Sequence, residues 1–207
     1  MQHTGITALI LAAGYSARMG RFKPLLDLGG QTVIGRVIAS FRDAGISDVR
    51  VVAGYRRKIL VPVLDRLGVE VIINYRYAEG MFSSVQAAVK SLGPSTEAFF
   101  LMPADVPLVR AATIRYMAES YGRHPGKILI PVFDKRRGHP TLVAARFAVE
   151  IMNYSGESGL GGILGLNNED IVTLPVADGN ILLDIDTPGD YEDMKRGLRK
   201  IDAGVTQ

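Results

Sequence analysis

The stretch Thr7-Ala8-Leu9-Ile10-Leu11-Ala12-Ala13-Gly14-Tyr15-Ser16-Ala17-Arg18-Met19-Gly20-Arg21-Phe22-Lys23-Pro24 decides how this chain is read. Thr7 to Ala12 form an apolar run of the length of a buried strand. The run stops at Gly14. A loop of small residues follows, with two cations five positions apart, Arg18 and Lys23. Open α/β sheets bind ligands at the carboxyl ends of their strands. Small residues there let backbone N–H groups approach a phosphate, and Arg and Lys add charge. The loop therefore reads as a polyphosphate cradle. It is neither a Walker loop nor a dinucleotide fingerprint, because G-x-x-x-x-G-K-[ST] is absent and no G-x-G-x-x-G follows the first strand. A solvated turn is the bland reading of any glycine-rich loop; the place directly after the first strand favours the cradle.

Outward from this loop, strand-like and helix-like patterns alternate. Thr32–Ala44 is helical by its spacing of Val33, Val37, Ile38 and Phe41, with Gly45 as a stop. Strands are expected at Val49–Ala53, Val69–Ile73, Ala98–Met102, Lys127–Pro131, Ile171–Val176 and Ile181–Asp184. Helices are expected at Arg56–Leu67, which Pro62 opens or kinks, and at Ser83–Ser91, Ala111–Tyr121 and Phe147–Asn153. A final helix at Pro188–Lys200 has Thr187 as its N-cap and Pro188 at its first position. The glycine-rich segment Ser155 to Gly165 reads as a mobile loop or a loosely held short helix. This alternation predicts a three-layer α/β/α sandwich around a mostly parallel central sheet. One domain over 1–207 is expected, with a nucleotide-binding half at about 1–108 and an acceptor-binding half at about 109–207.

Composition removes several function classes. The chain has 207 residues and no cysteine, which excludes disulfides, thiolate metal sites and cysteine nucleophiles. A formal charge of +3 is too small to argue for nucleic acid by itself. The basic clusters Arg56/Arg57/Lys58 and Lys135/Arg136/Arg137 read as solvated faces; only Arg18/Arg21/Lys23 has a strand-end loop to support it. No apolar run reaches membrane-helix length, and no secretory signal is visible, so neither membrane nor nucleic-acid partners are expected and a cytoplasmic location is.

Two acidic segments complete the pattern. In Phe99-Phe-Leu-Met-Pro103-Ala-Asp105-Val-Pro107, a carboxylate lies just past a wholly apolar strand, where it can face the same cleft as the loop. Capping of the following helix is its competing role. In Leu183-Asp184-Ile-Asp186-Thr-Pro188-Gly-Asp190, Asp184 and Asp186 share one face of an extended chain. Asp190 is explained by a place in the first helical turn. Two isolated carboxylates and a cationic loop suit a Mg²⁺-bound nucleoside triphosphate, since Mg²⁺ takes one or two carboxylates plus phosphate oxygens.

Taken together, Leu11-Ala-Ala-Gly-x-Ser-x-Arg18-Met-Gly-x-x-Lys23, Pro103-Ala-Asp105-x-Pro107 and Asp184-Ile-Asp186-Thr-Pro-x-Asp190 resemble the nucleotidyltransferase superfamily with a Rossmann-like, glycosyltransferase-A-like fold. Within it the chain is most similar to the molybdenum-cofactor nucleotidyltransferases, which transfer a nucleotide from CTP or GTP to the molybdopterin phosphate and release pyrophosphate. Asn74 with Gly80-Met-Phe-Ser83-Ser84, and Arg137-Gly138-His139-Pro140, fit the same pattern.

The resemblance implies roles position by position. Leu11, Ala12, Ala13 and Gly14, with Asn74, Gly80 and Ser84, would bind the nucleotide. Arg18 and Lys23 would neutralise the triphosphate and the incoming phosphate, with Asp105 as the third catalytic residue. Asp105 and Asp186 would ligate Mg²⁺, and His139 would lie toward the acceptor. The Ala12-Ala13-Gly14 form resembles the CTP-using members. Contact with a molybdoenzyme or a cofactor chaperone is also implied. The acceptor segment Glu157-Ser-Gly159-Leu-Gly-Gly162 lacks the arginine usual in cytidylyltransferase members. The competing functions are transfer to a sugar phosphate or another small phosphate, a glycosyltransferase using Asp184-x-Asp186, and a nucleotide-binding regulatory module.

Overall fold

The computed structural model describes residues 3–156 and 158–204. Its core is an eight-stranded sheet: β1 (Ile6–Ala12), β2 (Asp48–Ala53), β3 (Glu70–Ile73), β4 (Ala98–Pro103), β5 (Ile128–Phe133), β6 (Arg136–Arg137), β7 (Thr141–Ala144) and β8 (Ile171–Pro175). The spatial order is β3-β2-β1-β4-β7-β5-β6, with β8 paired to β5. β1 is parallel to β2 and β4, β2 to β3, and β5 to β8, while β7 runs antiparallel to β4 and β5 and β6 antiparallel to β5. The sheet is therefore mostly parallel, as the alternating pattern predicts. β1 is buried along almost its whole length, as a strand covered on both faces must be.

The helices are α1 (Val33–Asp43), α2 (Arg57–Arg66), α3 (Met81–Lys90), α4 (Ala111–Tyr121), α5 (Ala148–Asn153), α6 (Gly159–Leu166) and α7 (Pro188–Gly204). α1 packs with α4, and α3 packs with α5 and α6. Thr32 caps α1 by accepting from the Gly35 N–H at 3.1 Å. Pro62 lies inside α2 on its exposed side, so the helix continues through it. At α7, Thr187 Oγ1 accepts from the Asp190 N–H at 3.3 Å. The Asp190 carboxylate in turn accepts from the Thr187 N–H at 2.7 Å, a reciprocal capping box.

One expectation needs correction. Ile181–Asp184 is not a strand: Gly179–Leu182 is a 3-10 turn, initiated by Asp178, whose carboxylate accepts from the Asn180 N–H at 3.2 Å. The strand that fills the gap in the sheet is β7, which carries no long apolar signature because it is only four residues long. Gly159–Leu166 is a short helix, the second of the two forms read from the glycine-rich segment, while Glu157 lies outside the described residues.

A second, smaller apolar cluster matters more than its size suggests. Met19, Leu26, Leu28, Val33, Ile185, Tyr191 and Met194 pack together. Met19 belongs to the loop after β1 and Ile185 to the segment before α7. Their burial ties the cationic loop to the acidic segment, and it places Arg18, just before Met19, and Asp186, just after Ile185, at one location.

Candidate active site

The sheet order makes β1 a switch point: the chain leaves it toward β2 on one side, and β4 lies on the other. The crevice beyond the carboxyl ends of such strands is the ligand site of open α/β sheets. Here it is a cavity of about 800 Å³. The loop after β1 bends through left-handed conformations at Ser16 and Gly20, with the short 3-10 turn Ala17–Met19 between them. Ser16 Oγ accepts from the Lys23 N–H at 3.2 Å, closing the loop on itself. After β4, the Ala104 N–H donates to the Leu11 carbonyl at 3.0 Å, and the Asp105 carbonyl accepts from the Ile185 N–H at 2.9 Å. Three distant segments are thereby stitched together by backbone bonds alone.

The side chains converge on Lys23, which is 8% exposed. Its ammonium donates to Asp105 Oδ2 at 3.0 Å and to Asp186 Oδ1 at 2.8 Å. Arg18 approaches the other Asp186 oxygen at 2.9 Å. Burial by itself would lower the Lys23 ammonium, but hydrogen bonds to Asp186 and Asp105, with the charges of both, outweigh it and raise it. The Lys23 hydrogen bond, against a smaller opposing effect of burial, holds Asp186 below its ordinary range. Asp105 does not cap α4: that role falls to Asp178, which is buried and accepts from the Arg110 N–H at 2.9 Å and the Thr113 hydroxyl at 2.8 Å.

Two carboxylates that already share one cation, beside a phosphate-type loop, form the all-oxygen donor set that a hard divalent ion takes when phosphate and water complete its shell. Among the described residues no group of three or more His, Asp or Glu side chains converges. The donor set thus fits a metal that arrives with phosphate, held by Asp105 and Asp186, rather than a cage made of protein alone.

Leu11, Ala12, Ala13, Gly14, Arg18, Lys23, Gly80, Ser84, Asp105, Asp186 and His139 all line the cavity, so eleven of the twelve residues singled out in the sequence are brought together. The twelfth, Asn74, is buried behind them. Its amide donates to Ser83 Oγ at 2.9 Å and to Ser84 Oγ at 3.0 Å, fixing the start of α3. Ala13 is also almost fully buried, and its methyl faces Gly54, where an added Cβ would stand 2.8 Å from it. Any effect of Ala13 on the bound base is therefore transmitted through the loop.

His139 is held by its N–H, which donates to the Ile181 carbonyl at 2.9 Å, while its Nδ1 is buried with no hydrogen-bond partner. Burial lowers the imidazole, against the raising influence of Asp105 and Asp184, and keeps it neutral near pH 7. Tyr15 and Tyr77, which the sequence did not single out, line the same cavity, and so do Asp184, Arg136 and Arg137, to which it gave no nucleotide or acceptor role. The Lys135/Arg136/Arg137 cluster is therefore not simply a solvated face.

Residues 8–171 match the family model described as a MobA-like NTP transferase domain. The chain belongs to this family. It is accordingly a nucleotidyltransferase, with a nucleoside triphosphate among its substrates. The molybdenum cofactor cytidylyltransferase of Escherichia coli (strain K12) is 27% identical over 96% of this chain and 100% of its own length. A probable molybdenum cofactor guanylyltransferase of Pelotomaculum thermopropionicum is 27% identical over 74% of this chain and 80% of its own. The crystal structure of Rv0371c from Mycobacterium tuberculosis H37Rv is 25% identical, with a TM-score of 0.80 over 94% of this chain and 100% of that one. The same protein has been solved in complex with manganese, with a TM-score of 0.76. No helix among the described residues of this family member is long and apolar enough to cross a membrane.

Proposed function

We propose that the chain is a Mg²⁺-dependent cytidylyltransferase that moves CMP from CTP to the phosphate of molybdopterin and releases pyrophosphate. The observation that carries this reading is the Lys23 ammonium held between Asp105 and Asp186 at the mouth of the phosphate-type loop. The cytidylyltransferase relative that aligns end to end supports CTP and molybdopterin. The manganese complex of the Mycobacterium protein supports a divalent cation.

In this reaction an oxygen of the acceptor phosphate attacks the α-phosphorus of CTP. The new P–O bond forms as the bond to the β-phosphate breaks, and pyrophosphate leaves with the electron pair. The attacking oxygen is already anionic, so no general base is needed; the barrier lies in bringing two anions together. Lys23 meets that repulsion with a charge that the carboxylates of Asp186 and Asp105 keep protonated against the effect of burial. Arg18, exposed at the loop, neutralises the departing pyrophosphate. Bound Mg²⁺, held by Asp105 and Asp186, would supply further charge neutralisation at the phosphate oxygens. The backbone of Leu11 to Gly14, with Gly80 and Ser84, positions the nucleoside, and neutral His139 lines the cavity on the acceptor side. A pyrophosphate-release assay with each of the four nucleoside triphosphates, against molybdopterin and a panel of sugar phosphates, tests the reading. Release with CTP and molybdopterin supports it; release only with a sugar phosphate moves the chain to a different acceptor.

A further inference from the structure

β5 and β6 form a hairpin whose two-residue turn, Asp134-Lys135, has positive φ at both positions, 47° and 62°. This is the turn geometry that matches the twist of paired strands. The base of the hairpin is pinned. The Gly138 N–H donates to the Pro131 carbonyl at 2.9 Å, the His139 N–H donates to the Ile181 carbonyl at 2.9 Å, and a Cβ on Gly138 would lie 2.5 Å from that same Ile181 oxygen. Phe133 covers Gly179 on the neighbouring turn. Arg136 and Arg137 are therefore carried on a fixed support, and both line the cavity.

The four cations lining the cavity are not equivalent. Lys23 and Arg18 are matched by Asp105 and Asp186. Arg136 and Arg137 are exposed and have no ion-pair partner among the described residues. The acidic residues of the cavity, Asp105, Asp184 and Asp186, lie on other segments, and His139, which also lines the cavity, follows Arg137 by two positions. A nucleotidyl acceptor is itself an anion and must be held beside a triphosphate that repels it. Planar guanidinium groups grip a phosphate through paired N–H donors.

We infer that Arg136 and Arg137 form the docking site for the anionic group of the acceptor, a phosphomonoester brought up to the nucleotide from the β5–β6 side of the cavity. The inference deepens the reading above, since it presumes that the cavity holds a nucleotide and an acceptor together.

Calorimetry with a non-reactive nucleotide and a simple phosphomonoester separates the two ideas. Mg²⁺ with cytidine 5′-(α,β-methylene)triphosphate fills the phosphate loop, and phenyl phosphate is then titrated as the probe. The wild type, an Arg136→Gln/Arg137→Gln double variant and a Lys58→Gln variant, whose lysine does not line the cavity, are compared. The double variant should bind phenyl phosphate at least about tenfold more weakly, by the usual size of charge-assisted bonds. Its affinity for the nucleotide analogue should match wild type, and Lys58→Gln should behave as wild type throughout. Unchanged probe binding in the double variant, or an equal loss in Lys58→Gln, overturns the inference. If the analogue binds to none of the proteins, the nucleotidyl reading falls, while the same comparison of phenyl phosphate on the empty cavity still decides the role of the arginine pair.

Discussion

Lys23 and Asp186, 163 positions apart in the chain, meet at 2.8 Å, with Asp105 on the other side of the same ammonium. The contact joins the loop after β1 to the segment before α7. It keeps a positive charge at the point where two carboxylates would otherwise repel. Lys23 thereby partly neutralises the two carboxylates that the proposed function assigns to the divalent cation.

Lys23→Ala should slow turnover by about 100-fold or more, as loss of a buried group facing developing charge does elsewhere. The nucleotide KM should rise by less than turnover falls, since the interaction strengthens as charge rearranges. Arg18→Ala, at an exposed position, should act mainly on nucleotide KM. Steady-state kinetics with saturating acceptor checks both. A Lys23→Ala enzyme with normal turnover and only a raised nucleotide KM would make Lys23 a ground-state anchor.

Asp105→Asn and Asp186→Asn remove charge with almost no change in volume. Each should abolish transfer while circular dichroism stays that of the wild type. Each should also weaken Mn²⁺ binding in the presence of nucleotide, measured by electron paramagnetic resonance. Retained activity in either variant would contradict the assignment of these carboxylates to the metal.

Gly138 cannot accept a side chain without moving the Ile181 carbonyl, which is only 2.5 Å from where a Cβ would sit. Gly138→Ala should therefore cost about 1–3 kcal/mol of stability, the usual range for overpacking. It should also raise acceptor KM more than nucleotide KM, because the strain falls on the His139 side of the cavity. Denaturant unfolding and two-substrate kinetics on the same preparation provide the test; wild-type stability would show that the hairpin base is not rigid.

His139 gives a pH signature. Its folded form resists protonation, mainly through burial. The unfolded chain binds this proton near pH 6.5, so the stability that depends on neutral His139 is present above that pH. It is lost as pH falls from 6.5 toward the lower folded value. Thermal unfolding at pH 7.5 and 5.5 should show a smaller drop in His139→Gln than in wild type. Equal drops would mean that other groups set the acid sensitivity over that interval.

What the sequence made legible follows from where each signal is local. β1, β2 and β4 are dense apolar runs, and α1 and α4 are strongly periodic, so their residues announce them. The loop from Gly14 to Lys23 and Asp105 are visible because each follows such a strand, and Asp186 because it stands just before the Thr187-Pro188 start of α7. The 3-10 turn at Gly179–Leu182 resembled a strand because Ile181 and its neighbours are apolar, and its organising residue, Asp178, is marked by burial that only the fold reveals. Asn74 has an amide of the kind that binds ligands, yet it braces Ser83 and Ser84 instead. Arg136 read only as a solvated cation and Arg137 only as the start of the Arg137-Gly138-His139-Pro140 pattern, since their position depends on a hairpin whose turn residues, Asp134 and Lys135, carry no glycine to mark it.

Label transfer tests the central claim most directly. The enzyme is incubated with Mg²⁺, molybdopterin and CTP labelled at either the α- or the γ-phosphate, and the pterin product is isolated. The account predicts that α-label enters the pterin product, that γ-label appears only in pyrophosphate, and that neither transfer occurs with Lys23→Ala at a comparable rate. Recovery of γ-label in the pterin product, or release of pyrophosphate from α-labelled CTP with no α-label in the pterin, would contradict it.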